Sequence, residues 1–102
     1  MNTAKFGLII TFIAKAGQRD ALAAHLAQAG ESYGNEVGTE QFVVAISPTQ
    51  PDAVTVIERY ADHASHAAHE DAAGYAEIRA KTGSFLAGPP TVLPLSIVGG
   101  KF

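Results

Sequence analysis

The chain lacks cysteine and tryptophan altogether and contains a single methionine among its 102 residues. Without cysteine there is no disulfide framework, no thiolate nucleophile and no cysteine-ligated metal or cluster. Charged residues are also scarce, at 17%, and the seven lysines and arginines are scattered along a chain of formal net charge −3. Because nucleic acids are held through a clustered positive face, nucleic-acid binding is not expected.

A hydrophobic run long enough to cross a membrane is also missing. The first apolar stretch extends only from Phe6 to Ala14, whereas a membrane-spanning helix needs about 20 apolar residues. The stretch alternates like a strand, and no strong positively charged region of a secretory signal precedes it. These features predict a cytoplasmic protein without a membrane partner.

Composition predicts one small domain, residues 1–102, that needs a partner. A chain of this size buries only about two thirds of its unfolded surface when it folds. Hydrophobic residues make up 47% of the sequence, so little charge is left to cover the surface. Part of that surface is therefore expected to lie against another protein molecule.

Hydrophobic periodicity predicts a βαββαβ order, which is the ferredoxin-like α+β arrangement with an antiparallel sheet. A proline-containing turn separates the second strand from the third and suits an antiparallel hairpin. The expected strands are Lys5–Ala14, Gln41–Ser47, Ala53–Tyr60 and Thr91–Val98. The expected helices are Gln18–Tyr33, Asp62–Ala72 and a further helical piece containing Tyr75, Ile78, Phe85 and Leu86.

Both faces of the predicted sheet are apolar. In the first strand Phe6 and Leu8 point one way, and Ile9 points the other. An antiparallel sheet with one wet face would instead alternate apolar with polar residues. Helices can cover one face only, so the other is expected to pack on a second copy in a homodimer, with an interface on the order of 2,000 Å². The alternative is a monomer whose second face is wetted by Thr11, Gln41 and Thr55.

Residues 57–78 hold most of the groups able to transfer protons near neutral pH. A strand ends there, and a helix with three histidines at a spacing of three follows it. Imidazole changes its charge near neutral pH, and small-molecule sites form beside strand ends. The pattern therefore predicts a pocket between strand and helix. Its chemistry-bearing side chains are Glu58, Arg59, Tyr60, Asp62, His63, His66 and His69.

Several motifs in this order resemble the antibiotic biosynthesis monooxygenase family, whose members are small dimeric α+β barrels. The motifs are Glu36-Val37-Gly38 before the second strand, the strand end Glu58-Arg59-Tyr60, the helix pair Ala68-His69 and the late Ala87-Gly88-Pro89. The chain departs from the family at Ala72-Ala73-Gly74, where many members have Thr-Pro-His, and at Tyr60, where several oxygenases have tryptophan. Haem-degrading relatives carry a late histidine that residues 78–80 lack, so haem is not expected.

The resemblance implies oxidation of a phenol, anthrone or quinol by O₂ without metal, flavin or haem. In that chemistry the deprotonated substrate supplies the electrons, so the protein needs a base and a dry pocket. The resemblance places His69 as the base and Tyr60 as the group that orients the substrate, with Glu58 or His66 in support. No cofactor is expected.

Each candidate also has a purely structural interpretation. His69 could pack against the sheet, Tyr60 could belong to the core, and Glu58 could lie in an exposed surface pair. If Val54 and Val56 face the core, however, Glu58 faces it with them, and burial would raise its pKa. The three helix histidines spread over about a third of the helix circumference, so they are not expected to bind a metal ion.

Two other functions stay open at this point. One is a dimer that binds a small molecule without turnover. The other is an isomerase of a small carbonyl compound, which other members of the resembled family exemplify. A phosphorylated substrate would need a cluster of cations, and only Arg59 and Arg79 lie near the expected pocket.

Overall fold

The computed structural model describes residues 5–101, which fold in the predicted order and confirm the ferredoxin-like α+β class. The strands are β1 (Lys5–Ile13), β2 (Thr39–Ile46), β3 (Ala53–Tyr60) and β4 (Thr91–Ile97). The helices are α1 (Arg19–Ser32), α2 (His63–Asp71) and α3 (Tyr75–Ser84). The predicted domain, 1–102, also includes residues 1–4 and 102, which lie outside the described residues.

Four strand boundaries differ from the prediction: β1, β2 and β4 each end one residue early, and β2 begins two residues early. Local backbone pairing explains two of these differences. β1 ends at Ile13, one residue early, and Ala14 forms only an isolated bridge with Leu86. β2 begins at Thr39, two residues before the expected start, because an irregularity between Thr39 and Gln41 lets the ladder with β3 continue. Such a bulge places an extra residue on one strand without ending the pairing.

The last helix, α3, is shorter than predicted. Gly74 precedes α3 with φ +89°, a left-handed conformation that glycine adopts without steric cost. The helix ends at Ser84, so Phe85 and Leu86 follow α3 and do not belong to it. Leu86 instead pairs with the end of the first strand through its bridge to Ala14.

The four strands form one antiparallel sheet in the order β2-β3-β1-β4. In the register of β1 with β3, Leu8 lies opposite Glu58 and Phe12 opposite Val54. Because side chains alternate along a strand, these four residues share one face. β4 is an edge strand and carries Pro94 opposite Leu8.

The helices cover that shared face and form the core with it. Along α1, Leu22, Leu26 and Ala29 are buried, at the spacing that places residues on one side of a helix. Leu22 and Leu26 pack into a cluster with Val54 and Val56 from β3. Among residues 5–101, no helix is both long and apolar enough to cross a membrane.

The opposite face of the sheet, called here the outer face, exposes large apolar side chains. Four of them are between 40% and 53% exposed, and one comes from each strand: Ile13, Val43, Ile57 and Leu93. The expectation that both faces are apolar is therefore confirmed in this part of the chain.

Candidate active site

A cavity of about 380 Å³ lies between the helix-covered face of the sheet and the helices. This volume falls at the lower end of the range for small-molecule sites. Side chains from β1, β3, α2 and α3 form most of its wall. The expected position, between the third strand and the histidine-bearing helix, is thus where the structure has a cavity.

Glu58 lies on the cavity wall and is 5% exposed. The strand phase, which the sequence left open, is the one in which Val54 and Val56 face the core, because both are also buried on that side. The interpretation of Glu58 as an exposed surface group is therefore wrong. Burial raises the pKa of its carboxyl, although the hydrogen bond from Tyr60 and the nearby His69 oppose the shift.

Tyr60 is fully buried and donates its hydroxyl hydrogen bond to the Glu58 carboxylate. It is absent from the residues that line the cavity. Burial and the adjacent Glu58 raise the pKa of Tyr60 far above its usual range, so the hydroxyl keeps its proton. The structure therefore places Tyr60 behind Glu58, where it can orient this carboxyl but does not reach a molecule in the cavity.

His69 is 3% exposed and lines the cavity. Its Nδ1 lies 2.7 Å from the Glu36 Oε1, and Thr39 donates its hydroxyl hydrogen bond to the same oxygen at 2.8 Å. A carboxylate only accepts hydrogen bonds, so Nδ1 carries a proton. The ring is held by edge contacts with Tyr33 and Tyr75, at centroid distances of 4.3 and 5.2 Å.

The free ring nitrogen of His69 is the one available to a ligand. Its Nε2 forms no hydrogen bond in the described part of the chain. Every fully buried side-chain nitrogen or oxygen in that part does form one, so Nε2 is not fully buried. Nε2 is therefore accessible, and the cavity that His69 lines is the space it reaches. In the neutral ring with the proton on Nδ1, this nitrogen has a lone pair that can accept a proton.

The other two helix histidines differ from each other. His66 lines the cavity beside Glu70, with 3.7 Å between its Nε2 and the Glu70 Oε2. His63 is exposed and lies against Phe6, with 4.3 Å between ring centroids, away from the cavity wall. Within residues 5–101, no three His, Asp or Glu side chains lie where they could hold a metal ion together.

Sequence reasoning assigned no role to Glu36. The residue lies 33 positions before His69, so no local spacing connects the two. Its only signal was its place in the Glu36-Val37-Gly38 motif. Glu70 and Tyr75 also line the cavity, and their helical spacing alone did not distinguish a cavity wall from ordinary packing. Arg79, which was expected near the pocket, lines the cavity as well.

The chain belongs to the antibiotic biosynthesis monooxygenase family, whose sequence profile matches residues 5–81. The resemblance read from the motifs is thereby confirmed. The family and its structural neighbours support a monooxygenase, without indicating a specific substrate. No curated protein matches the chain.

Three solved structures illustrate the similarity. A Chloroflexus aurantiacus protein, provisionally assigned as an antibiotic biosynthesis monooxygenase, is 30% identical with a TM-score of 0.83, covering 97% of this chain and 98% of its own. A Nitrosomonas europaea protein of unknown function is 27% identical with a TM-score of 0.84, covering 100% and 97%. Rv0793 from Mycobacterium tuberculosis, at 23% identity and a TM-score of 0.84, covers 95% and 98% and supports the fold.

Proposed function

We propose that the protein is a cofactor-independent monooxygenase that oxidises a phenolic, anthrone or quinol-like molecule with O₂. The observation that carries this proposal is two buried acid–base groups on the cavity wall, His69 and Glu58. Each is hydrogen-bonded to a partner behind the wall, His69 to Glu36 and Glu58 to Tyr60. Without a cofactor, removing a proton from the substrate and excluding water are the contributions left to the protein.

The overall reaction balances without an external reductant. Two hydrogens of the substrate are replaced by one oxygen atom of O₂, and the second oxygen atom leaves as water. The substrate thus supplies all four electrons, and a phenol or anthrone ends as a quinone. Deprotonation comes first, because the resulting anion is the form that gives electrons to O₂.

His69 is the catalytic base in this proposal. Its Nε2 takes the proton of the phenolic hydroxyl, or of the acidic CH₂ group of an anthrone, and the Glu36 carboxylate 2.7 Å from Nδ1 stabilises the imidazolium that forms. Glu36 is a positioning residue, since it fixes which ring nitrogen faces the cavity. General bases held by a third group in this way recur among enzymes.

Glu58 supports the same step from the sheet side. Because burial raises the pKa of its carboxyl, Glu58 holds a proton to higher pH than an exposed glutamate does. A protonated carboxyl can donate a hydrogen bond to the oxygen that becomes negative. Tyr60 is the positioning residue behind it, and His66 with Glu70 completes the polar wall.

The proposed functional unit is a cytoplasmic homodimer in which two outer faces pack together. Each strand presents a large, half-exposed apolar side chain on that face, and contiguous apolar area of this kind marks association sites. The charged groups near it are already paired, since Glu40 accepts hydrogen bonds from both Lys5 and Arg59. The face can therefore lose water without leaving these charges unpartnered.

An isomerase of phosphorylated compounds is less well supported. Arg59, one of the two cations expected near the pocket, lies on the outer side of the sheet and binds Glu40. Among the described residues, Arg79 is then the only lysine or arginine on the cavity wall. A single arginine beside Glu58 and Glu70 is a poor phosphate site.

Oxygen uptake by the purified protein with a panel of anthrones, naphthols and hydroquinones tests the proposal. We expect uptake with at least one compound, and a loss of about 100-fold or more in His69→Ala, the usual contribution of a general base. His63→Ala is the matched control, because His63 lies on the same helix but outside the cavity. Glu36→Gln should reduce uptake less and change its pH profile.

Three outcomes decide the question. Uptake that survives His69→Ala unchanged removes His69 as the base. No uptake with any compound, together with saturable ligand-induced increases in melting temperature, indicates the non-catalytic binding dimer instead. Uptake lost equally in His63→Ala would mean that the substitutions act on folding rather than on chemistry, and circular dichroism of each variant checks this.

A further inference from the structure

The cavity has two chemically different ends. The polar end is formed by Glu58, His66, His69, Glu70, Tyr75 and Arg79, and the apolar end by Phe12, Leu26, Leu86, Pro90 and Val92. Strand register separates them, because Leu8 lies opposite Glu58 while Phe12 lies opposite Val54. Four residues of strand span about 14 Å, which is longer than one aromatic ring.

Helix α3 also passes from the polar end to the apolar end, along the opposite wall of the cavity. It begins with Tyr75 at the polar end, and the chain beyond it reaches Leu86, which pairs with Ala14 next to the end of β1. The change from polar to apolar lining thus runs along β1, β3 and α3 together and does not depend on a single residue.

Beyond Tyr75 at the polar end, Thr82 is the hydroxyl side chain that α3 adds to the cavity wall in the described part of the chain, and it is already hydrogen-bonded. It donates to the carbonyl oxygen of Ile78 at 2.8 Å, and His25 Nε2 lies 2.9 Å from its oxygen. A polar group of a ligand placed at the apolar end would therefore gain no hydrogen bond from the cavity wall, whereas at the polar end it would.

Charge at the polar end selects against anions. The carboxyl groups of Glu58 and Glu70 line it, and Glu36 lies behind His69, whereas Arg79 is the only arginine there among residues 5–101. An anionic ligand would be placed among these carboxyl groups. An uncharged hydroxyl, in contrast, can donate to His69 Nε2 without adding a negative charge beside these carboxyl groups.

We propose that the site takes an uncharged aromatic ligand whose hydroxyl groups all lie on one edge, with the rest of the molecule apolar. A para-quinol with hydroxyls at opposite ends, or an aromatic carboxylate or phosphate, is a poor ligand. The substrate assignment rests on the proposed function, but the selectivity itself is a statement about binding and is tested without turnover.

Isothermal titration of the full chain under argon with two isomeric probes tests the inference. We expect 2,3-dihydroxynaphthalene, with both hydroxyls on one edge, to bind about fivefold more tightly than 2,6-dihydroxynaphthalene, since only the former can hydrogen-bond to the cavity wall through both hydroxyls. 2-Naphthoate, which has a carboxylate instead, should bind more weakly than 2-naphthol. Equal affinities for the isomers, or tighter binding of naphthoate, would overturn the inference, as would binding of neither isomer at millimolar concentration.

A variant at the apolar end gives an independent check. Val92 is 52% exposed on edge strand β4, so Val92→Asn adds an amide there with little risk to the fold. The ratio of the two affinities should fall at least about threefold, because the far hydroxyl gains a partner; an unchanged ratio counts against the inference. Selective binding without O₂ uptake would refute only the monooxygenase, and uptake without isomer selectivity would refute only this inference.

Discussion

The two faces of the sheet contain similar residues and meet very different surroundings. On the helix-covered face Leu8, Val54 and Val56 are at most 6% exposed, whereas Ile13 and Ile57 on the outer face are at least 40% exposed. Alternation along a strand assigns residues to faces but does not say what covers each face. An apolar face predicts that something packs against it. The structure of one chain shows that its own helices cover only one of the two faces.

The carboxylates near the two faces differ in the same way. Glu58 lies inside, where burial raises the pKa of its carboxyl. Glu40 lies at the other side, where hydrogen bonds and charge from Lys5 and then Arg59 lower the pKa of its carboxyl. One face therefore holds a carboxyl that resists ionisation, and the other holds one that favours it.

The largest effect is expected from a charge placed on the helix-covered face. Val56 is 1% exposed within the core cluster, so Val56→Asp buries a carboxylate without a partner. We expect a loss of at least about 4 kcal/mol in the free energy of unfolding, enough to unfold much of the protein. Urea titration followed by circular dichroism measures it. A native-like variant would show that the cavity admits water to this position.

The same substitution one residue later should leave the chain folded and break only the dimer. Ile57 is 40% exposed on the outer face, and a symmetric interface would bury the new charge twice. We expect the dissociation constant to rise about 100-fold or more in Ile57→Asp, measured by sedimentation velocity at micromolar concentration. Ile57→Val is the control. A wild-type protein that sediments as a monomer would refute the proposed interface.

The smallest effects come from the two carboxyls, with opposite dependence on pH. The folded-state pKa of Glu58 lies above the ordinary value of 4.5, so its contribution to stability is complete below pH 4.5 and is lost as pH rises through the folded pKa. Glu58→Gln cannot ionise. The free energy of unfolding of this variant, relative to that of wild type, should therefore increase as pH rises. Urea unfolding at several pH values across the acid range measures it.

Glu40→Gln is the matched substitution. Since the folded-state pKa of Glu40 is lowered, its contribution is present above pH 4.5 and is lost as pH falls through the folded pKa. The variant should be less stable than wild type at neutral pH by under about 1 kcal/mol, and this difference should vanish in acid. Parallel rather than opposite trends for the two variants would contradict the contrast between the faces.

The fold was largely predictable because its signals are local. β3 occupies the predicted residues, and Asp62 caps α2 by accepting a hydrogen bond from the Ser65 backbone at 2.7 Å. The ladder irregularity at the start of β2 was not predicted, since it depends on how two strands fit together. Homodimerisation and the cytoplasmic location stay predictions.

The site was only partly predictable. The sequence tied the direction of Glu58 to a strand phase that it left open, whereas the pocket predicted beside α2 does contain His66 and His69. The pairing of His69 with Glu36 joins distant parts of the chain and needs the folded structure. The sequence also could not show that Tyr60 lies behind Glu58, because both point to the same side.

Pro94 limits how copies of this molecule can associate. A proline in an edge strand offers no N–H to a further strand, so the free side of β4 lacks a donor in the middle of its length. Adding strand after strand along this edge, the route to fibrous growth, is thereby hindered. When two copies pack face to face, both faces are covered and no further copy can add. Pro94 therefore favours a closed oligomer over an open-ended fibre in this apolar-rich chain.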